Sequence, residues 1–172
     1  MSPETMEASP DGPQGADFDE TFRTSFEPMV RSLAVACGDR EVAADAVQDA
    51  FTRAYARWGR ISRYDHPAGW IRHVALNRLR DHFRHVERGR RVVERLGGQA
   101  KTGSSGLAPT EPDDLLATVA ELPRQQRIAV SLFYVEQLSV HEVAEAMGLS
   151  EGAVKYHLHA GRERLRERVV AP

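Results

Sequence analysis

Wherever this chain carries apolar residues in number, they recur three and four positions apart, and nowhere do they alternate. That rhythm marks one face of an α-helix, whereas a half-buried strand alternates with a period of two. Phe18, Phe22, Phe26, Met29, Val30 and Leu33 form a first stripe; Val47, Ala50, Phe51, Ala54 and Trp58 form a second. Trp70, Ile71, Val74, Leu79, Phe83 and Val86 form a third, with Pro67 near its first turn, where a missing N–H costs little. Further on, Leu115–Glu121 and Arg124–Val135 read as helices separated by a break at Pro123. The predicted fold class is all-α.

Composition divides this helical material into two blocks. Residues 1–16 are rich in Pro, Gly, Ser and acids and offer nothing to bury, which predicts a disordered acidic tail. Gly97–Pro112 holds four glycines and two prolines and reads as a flexible linker. Two small helical domains are therefore expected, over residues 17–96 and 113–172. Sixteen linker residues span at most about 53–58 Å extended, and about 20–24 Å as a flexible coil. Loose coupling of the two domains in solution follows.

The longest uncharged apolar run, Ile128–Val135, falls far short of the roughly 20 residues that span a bilayer. The acidic start lacks the apolar core of a signal peptide, so a cytoplasmic protein is expected. A single cysteine, Cys37, excludes an internal disulfide and a cysteine-rich zinc site. His82 and His85 lie three apart, but among arginines that repel a cation and without a carboxylate motif. No phosphate-cradling glycine loop or nucleophile elbow is present either. Neither enzymatic activity nor a cofactor or metal is expected.

The formal net charge of −2 argues against nucleic acid only when taken whole. Residues 1–20 contain six acids and no base, whereas Arg60–Arg95 contains ten arginines against four acids. In that basic stretch His73, Asn77, Arg80, Arg84, Arg88 and Arg91 follow helical spacing along one side. Asn77 is informative, because asparagine forms helices poorly and its amide can hold a base edge while arginines hold phosphates. The preceding loop, Gly59–His66, offers Arg60, Arg63 and Tyr64 for charge and stacking on a single strand. The second helix has the opposite character. Asp45, Gln48, Asp49 and Thr52 line one face, which repels DNA and suits a basic protein partner.

The C-terminal block carries the sharpest local signals. Ser139 and Glu142 form a capping box that opens a short helix, Val140–Met147, and Gly148 closes it. Ser150 can cap a last helix running to about Arg168. Two helices joined by so short a turn make a helix-turn-helix, whose second helix enters the major groove. With Val154, Leu158 and Leu165 turned inward, Glu151, Gly152, Lys155, Tyr156 and His159 face outward, followed by Arg162 and Arg166. Lys155 suits a guanine or a phosphate, and Tyr156 and His157 can donate to phosphates or stack.

Three segments then carry a resemblance. VAADAVQDAFTRAYARW, PAGWIRHVALNRLRDHFR and LPRQQRIAVSLFYVEQLSVHEVAEAMGLSEGAVKYHLHAGRERLRERV resemble the characteristic segments of extracytoplasmic-function (ECF) sigma factors of bacterial RNA polymerase. The resemblance implies that the chain binds the β and β′ subunits of core RNA polymerase, with Asp45, Gln48 and Asp49 docking at the β′ clamp. It implies capture of a flipped −10 base by residues 61–66, with Asn77 at the same pocket and Arg63, Tyr64, His73, Arg80 and Arg84 beside it. It implies reading of the −35 element by Lys155, Tyr156, His157, His159 and Arg162. Anti-sigma factors, an inhibitory class of partner, would cover these same surfaces. Tyr156, His157 and His159, and likewise His73, stand where the family usually carries arginine. Those departures bear on which promoter is read rather than on the mode of binding. A stand-alone helix-turn-helix regulator is the alternative, because SEGAVKYHL also resembles response-regulator recognition helices; such a regulator needs neither the acidic face nor the Asn77 stripe.

Overall fold

The computed structural model describes residues 16–99 and 114–170. The predicted acidic tail, apart from Ala16, and the linker beyond Gln99 lie outside the described residues. Helix α1, Phe18–Cys37, is capped by Asp17 and stops at Gly38, whose φ of 77° is the left-handed geometry glycine tolerates. Helix α2, Arg40–Tyr55, starts at Asp39, whose carboxylate accepts from the backbone N–H groups of Glu41 and Val42. A single helical turn, α3, occupies Trp58–Ile61, so the loop expected from Gly59 begins only at Ser62. Ile61 is fully buried, and that anchor orders the first half of the expected loop.

Helix α4, Pro67–Arg95, has proline in its first turn as expected. Helices α1, α2 and α4 pack around Met29, Leu33, Val47, Phe51, Ile71 and Leu76. Phe18 sets its ring edge-on against Phe51 and Trp58 at the open end of this core. The third apolar stripe outruns its partners. Its burial ends at Leu79 and the half-buried Phe83, while Val86, Val92 and Val93 are exposed.

The second block comprises α5, Asp114–Ala120; α6, Arg124–Val130; α7, Val140–Met147; and α8, Glu151–Val170. The helix expected over Arg124–Val135 changes type at Ser131 and finishes as a π-turn, Ser131–Val135. The capping box forms in both directions: Glu142 N–H donates to Ser139 Oγ (3.2 Å) and Ser139 N–H donates to Glu142 Oε2 (2.8 Å). Gly148 closes α7 at φ 65°, and Ser150 Oγ accepts from Ala153 N–H to open α8. Val154 and Leu158 are buried and Leu165 is half-buried, as their spacing predicts. Gly161 lets α8 lie close on α6, for a Cβ there would stand 2.9 Å from Val130 Cγ2.

The blocks are not apart. Helix α1 packs against α5, α6 and the π-turn, and α7 packs against α4. Loose coupling, expected from linker composition, is thus replaced by a closed arrangement. The contacts that close it join residues remote in sequence, which no local pattern reports.

Candidate nucleic-acid interface

Three surfaces carry the residues singled out by the sequence. On α2, Asp45 and Gln48 are exposed. Asp49 is not free: its Oδ2 faces Arg53 Nε at 3.0 Å and Arg78 Nε at 3.6 Å. Arg78 escapes the sequence reading because it lies on another helix, and it draws the acidic face toward the flank of α4. Beside it runs a groove lined by Asp45, Asp49, Arg78, Asp81, His82 and His85, so the histidine pair faces carboxylates as well as arginines.

On α4 the first three residues of the polar stripe form one hydrogen-bonded chain. With its proton on Nδ1, His73 donates to the Ala146 carbonyl (3.0 Å) and accepts from Asn77 Nδ2 (3.0 Å). Asn77 Oδ1 accepts from Arg80 Nη1 (3.2 Å), and Arg80 Nη2 donates to the Met147 carbonyl (2.9 Å). Burial, then the neighbouring Arg84, pushes the Arg80 guanidinium below its usual value, though an arginine remains charged in a protein. Arg84 stays exposed, 3.7 Å from Asp81. Arg63 and Tyr64 are exposed at the loop before α4. They share a cavity of about 670 Å³ with His66, Trp70 and His73, and α7 contributes His141 and Glu145 to its wall.

On α8, Lys155, Tyr156, His159 and Arg162 are exposed. Their spacing sets them on the side away from buried Val154 and Leu158. His157 departs from the group: it is half-buried, its ring meets Tyr156 at 5.5 Å, and its Nδ1 is buried without a hydrogen-bond partner. Steric access therefore favours Lys155, Tyr156, His159 and Arg162 over His157 for contact with a groove.

Two observations about the chain as a whole decide its family. Residues 22–89 match the profile of sigma-70 region 2, and residues 113–165 match sigma-70 region 4. The RNA polymerase sigma-E factor of Streptomyces coelicolor is 32% identical over 158 residues, spanning 90% of this chain and 87% of that protein. The chain belongs to the ECF group of sigma-70 factors. The ECF RNA polymerase sigma factor SigM of Bacillus subtilis is 29% identical, over 86% of this sigma factor and 92% of its own length. The fold is likewise that of a solved sigma factor, RpoE of Bartonella quintana in complex with the anti-sigma factor NepR. There the TM-score is 0.69 at 22% identity, over 89% of this chain and 96% of that one. CnrH in complex with the cytosolic domain of CnrY aligns with a TM-score of 0.60 at 20% identity, over 88% and 86% of the two chains.

Residues that the sequence reading missed lie between the blocks of this sigma factor. Arg72 donates from Nε (2.8 Å) and Nη2 (2.7 Å) to Glu136 Oε1, and Ser32 Oγ donates to Glu136 Oε2 (2.8 Å). The Arg72 and Glu136 side chains are only 7% and 2% exposed. One signal was available: Arg72 interrupts the apolar face between Ile71 and Ala75, both buried. Arg124 also reaches across, with its guanidinium 4.6 Å from the centroid of Phe83. Among the described residues no helix is long and apolar enough to cross a membrane.

Proposed function

We propose that this sigma factor works as a non-enzymatic, cytoplasmic specificity subunit, binding core RNA polymerase through residues 17–96 and promoter DNA through both of its blocks. The observation that carries this reading is the pairing, on one chain, of a capped helix-turn-helix with a second polar stripe centred on Asn77. A stand-alone regulator needs only the first. In this reading Asp45, Gln48 and Asp49 on α2 dock on the β′ clamp. Arg63, Tyr64, His73, Asn77, Arg80 and Arg84 hold the unpaired −10 strand, with base edges at Asn77 and phosphates at the arginines. Lys155, Tyr156, His159 and Arg162, flanked by His157, meet the −35 duplex. Residues 97–112 act as the linker between the domains, and residues 113–172 form the −35 domain. An anti-sigma factor is a partner class that would compete for these surfaces.

Mixing the full chain with core polymerase is expected to give transcription that depends on a promoter. The Asp45→Ala/Asp49→Ala variant is expected to lose polymerase in a pull-down while keeping duplex binding by α8. Undiminished retention of polymerase by that variant would reject the clamp assignment.

A further inference from the structure

We propose that Glu136 is a latch that holds the helix-turn-helix against α4 and so keeps His73 and Arg80 of the −10 stripe from DNA in the free protein; the inference rests on the reading of that stripe given above. Both of its carboxylate oxygens face donors of the other block, Arg72 from α4 and Ser32 from α1. Two backbone irregularities aim it there. Glu136 follows the π-turn, its N–H reaching back to the Ser131 carbonyl, and it precedes Gln137 at φ 60°. Gln137 is the one non-glycine residue with positive φ among the described residues, and a side chain in that region is strained. Helix irregularities and backbone strain of this kind gather where a side chain must be placed for function.

With Glu136 in place, α7 lies end-on against the residues that would bind DNA. The Ala146 and Met147 carbonyls, unpaired in the helix and at the negative end of its dipole, take the donors of His73 and Arg80. Those donors are the ones a phosphate or base would take, so the two uses exclude each other. The turn itself presses in, for a Cβ on Gly148 would lie 3.4 Å from His73 Cε1. Glu145 adds a carboxylate to the wall of the cavity that Arg63, Tyr64 and Trp70 line, which disfavours an anionic strand there.

An ion pair suits a contact built to open. When both charges leave the interface together they regain hydration, whereas an apolar contact of the same size loses its burial outright. Separating the blocks, as docking them on distant sites of polymerase would, therefore frees the stripe, with the ion pair adding little to the cost of parting α1 from the second block.

The test uses the full chain, with its radius of gyration measured by small-angle scattering and its affinity for a short labelled single-stranded DNA of mixed sequence. Glu136→Gln is expected to expand the molecule. If the open form is about 1–10% of the free population, it should also bind the strand about 10–100-fold tighter. Arg72→Met combined with Glu136→Leu replaces the ions with apolar groups, and should leave the molecule compact and bind the strand no better than the parent. An unexpanded Glu136→Gln variant whose melting curve shows it folded would overturn the latch. Expansion without a gain in affinity would overturn the closing of the stripe while leaving Glu136 as the contact that holds the blocks together. Adding Asn77→Ala to Glu136→Gln separates the two ideas. If the expanded double variant keeps all the gained affinity, the stripe is not the DNA site, a failure told apart from that of the latch by the radius.

Discussion

The α4 stripe and the α8 face are both rows of polar and basic side chains at helical spacing, yet the fold treats them differently. On α8, Lys155, His159 and Arg162 have no side-chain partner among the described residues and point into solvent. On α4, His73, Asn77 and Arg80 are tied to one another and to two carbonyls of α7. The chemistry of a face is written in its own residues, but its occupancy is written in whatever folds back onto it. One surface stands free in solvent; on the other, His73 and Arg80 are held by the end of α7.

The comparison breaks most readily on the α8 side, through the seat of that helix. Gly161→Leu would drive a side chain into Val130, which a Cβ alone would already meet at 2.9 Å. β-Branched Val130 has little freedom to yield, and overpacking of this kind costs about 1–3 kcal/mol. Urea unfolding is expected to show that loss, together with weaker duplex binding, because the recognition helix loses its alignment with α7. Wild-type stability would mean that α6 and α8 approach less closely than this structure has them.

A smaller effect sharpens the contrast instead. Lys155→Ala removes an exposed charge without touching the core, so stability should hold while affinity for a −35 duplex falls about tenfold and the salt slope shallows by about one. A latch on α4 leaves this site unaffected, so the loss should be the same in the Glu136→Gln background. Titrations of the duplex at several salt concentrations decide it; an unchanged slope would move the groove contact elsewhere on α8.

The same contrast explains what was legible beforehand. The capping box, the Gly148 stop, the Ser150 cap and Pro67 in the first turn of α4 all depend on residues within four positions of one another, so their chemistry is readable in order along the chain. The exposed members of the α8 face follow from the burial of Val154 and Leu158 by the same periodicity. Glu136 and Arg72 were not legible. They meet across 64 residues of sequence, and Ser32 reaches Glu136 across 104. By itself a glutamate after an apolar helix reads as a solvated end. The π-turn hid the contact further, because it alters the helical phase that would show where Glu136 points. Asp49 is an intermediate case: its exposed neighbours Asp45 and Gln48 follow from the sequence, whereas its pairing with Arg78 came from another helix.

The mildest perturbation lies in the first helix of the helix-turn-helix, which serves both surfaces by opening α7 and so placing its far end on α4. Ser139→Ala removes one side of the capping box and should cost about 0.5–2 kcal/mol. Its dependence on pH carries a sign. Hydrogen bonds from Ser139, first its backbone N–H, hold the Glu142 carboxyl below its ordinary value against a smaller opposing effect of burial. A group whose pKa is depressed by folding adds stability above its unfolded value, and that stability is lost as pH falls through the folded one. The cost of Glu142→Gln should therefore be full at neutral pH and shrink once pH drops below the usual carboxylate range, where the parent's Glu142 is itself protonated. Urea unfolding of parent and variant at neutral and acid pH measures it. A difference that grew on acidification would mean that the Glu142 carboxylate does not hold the cap.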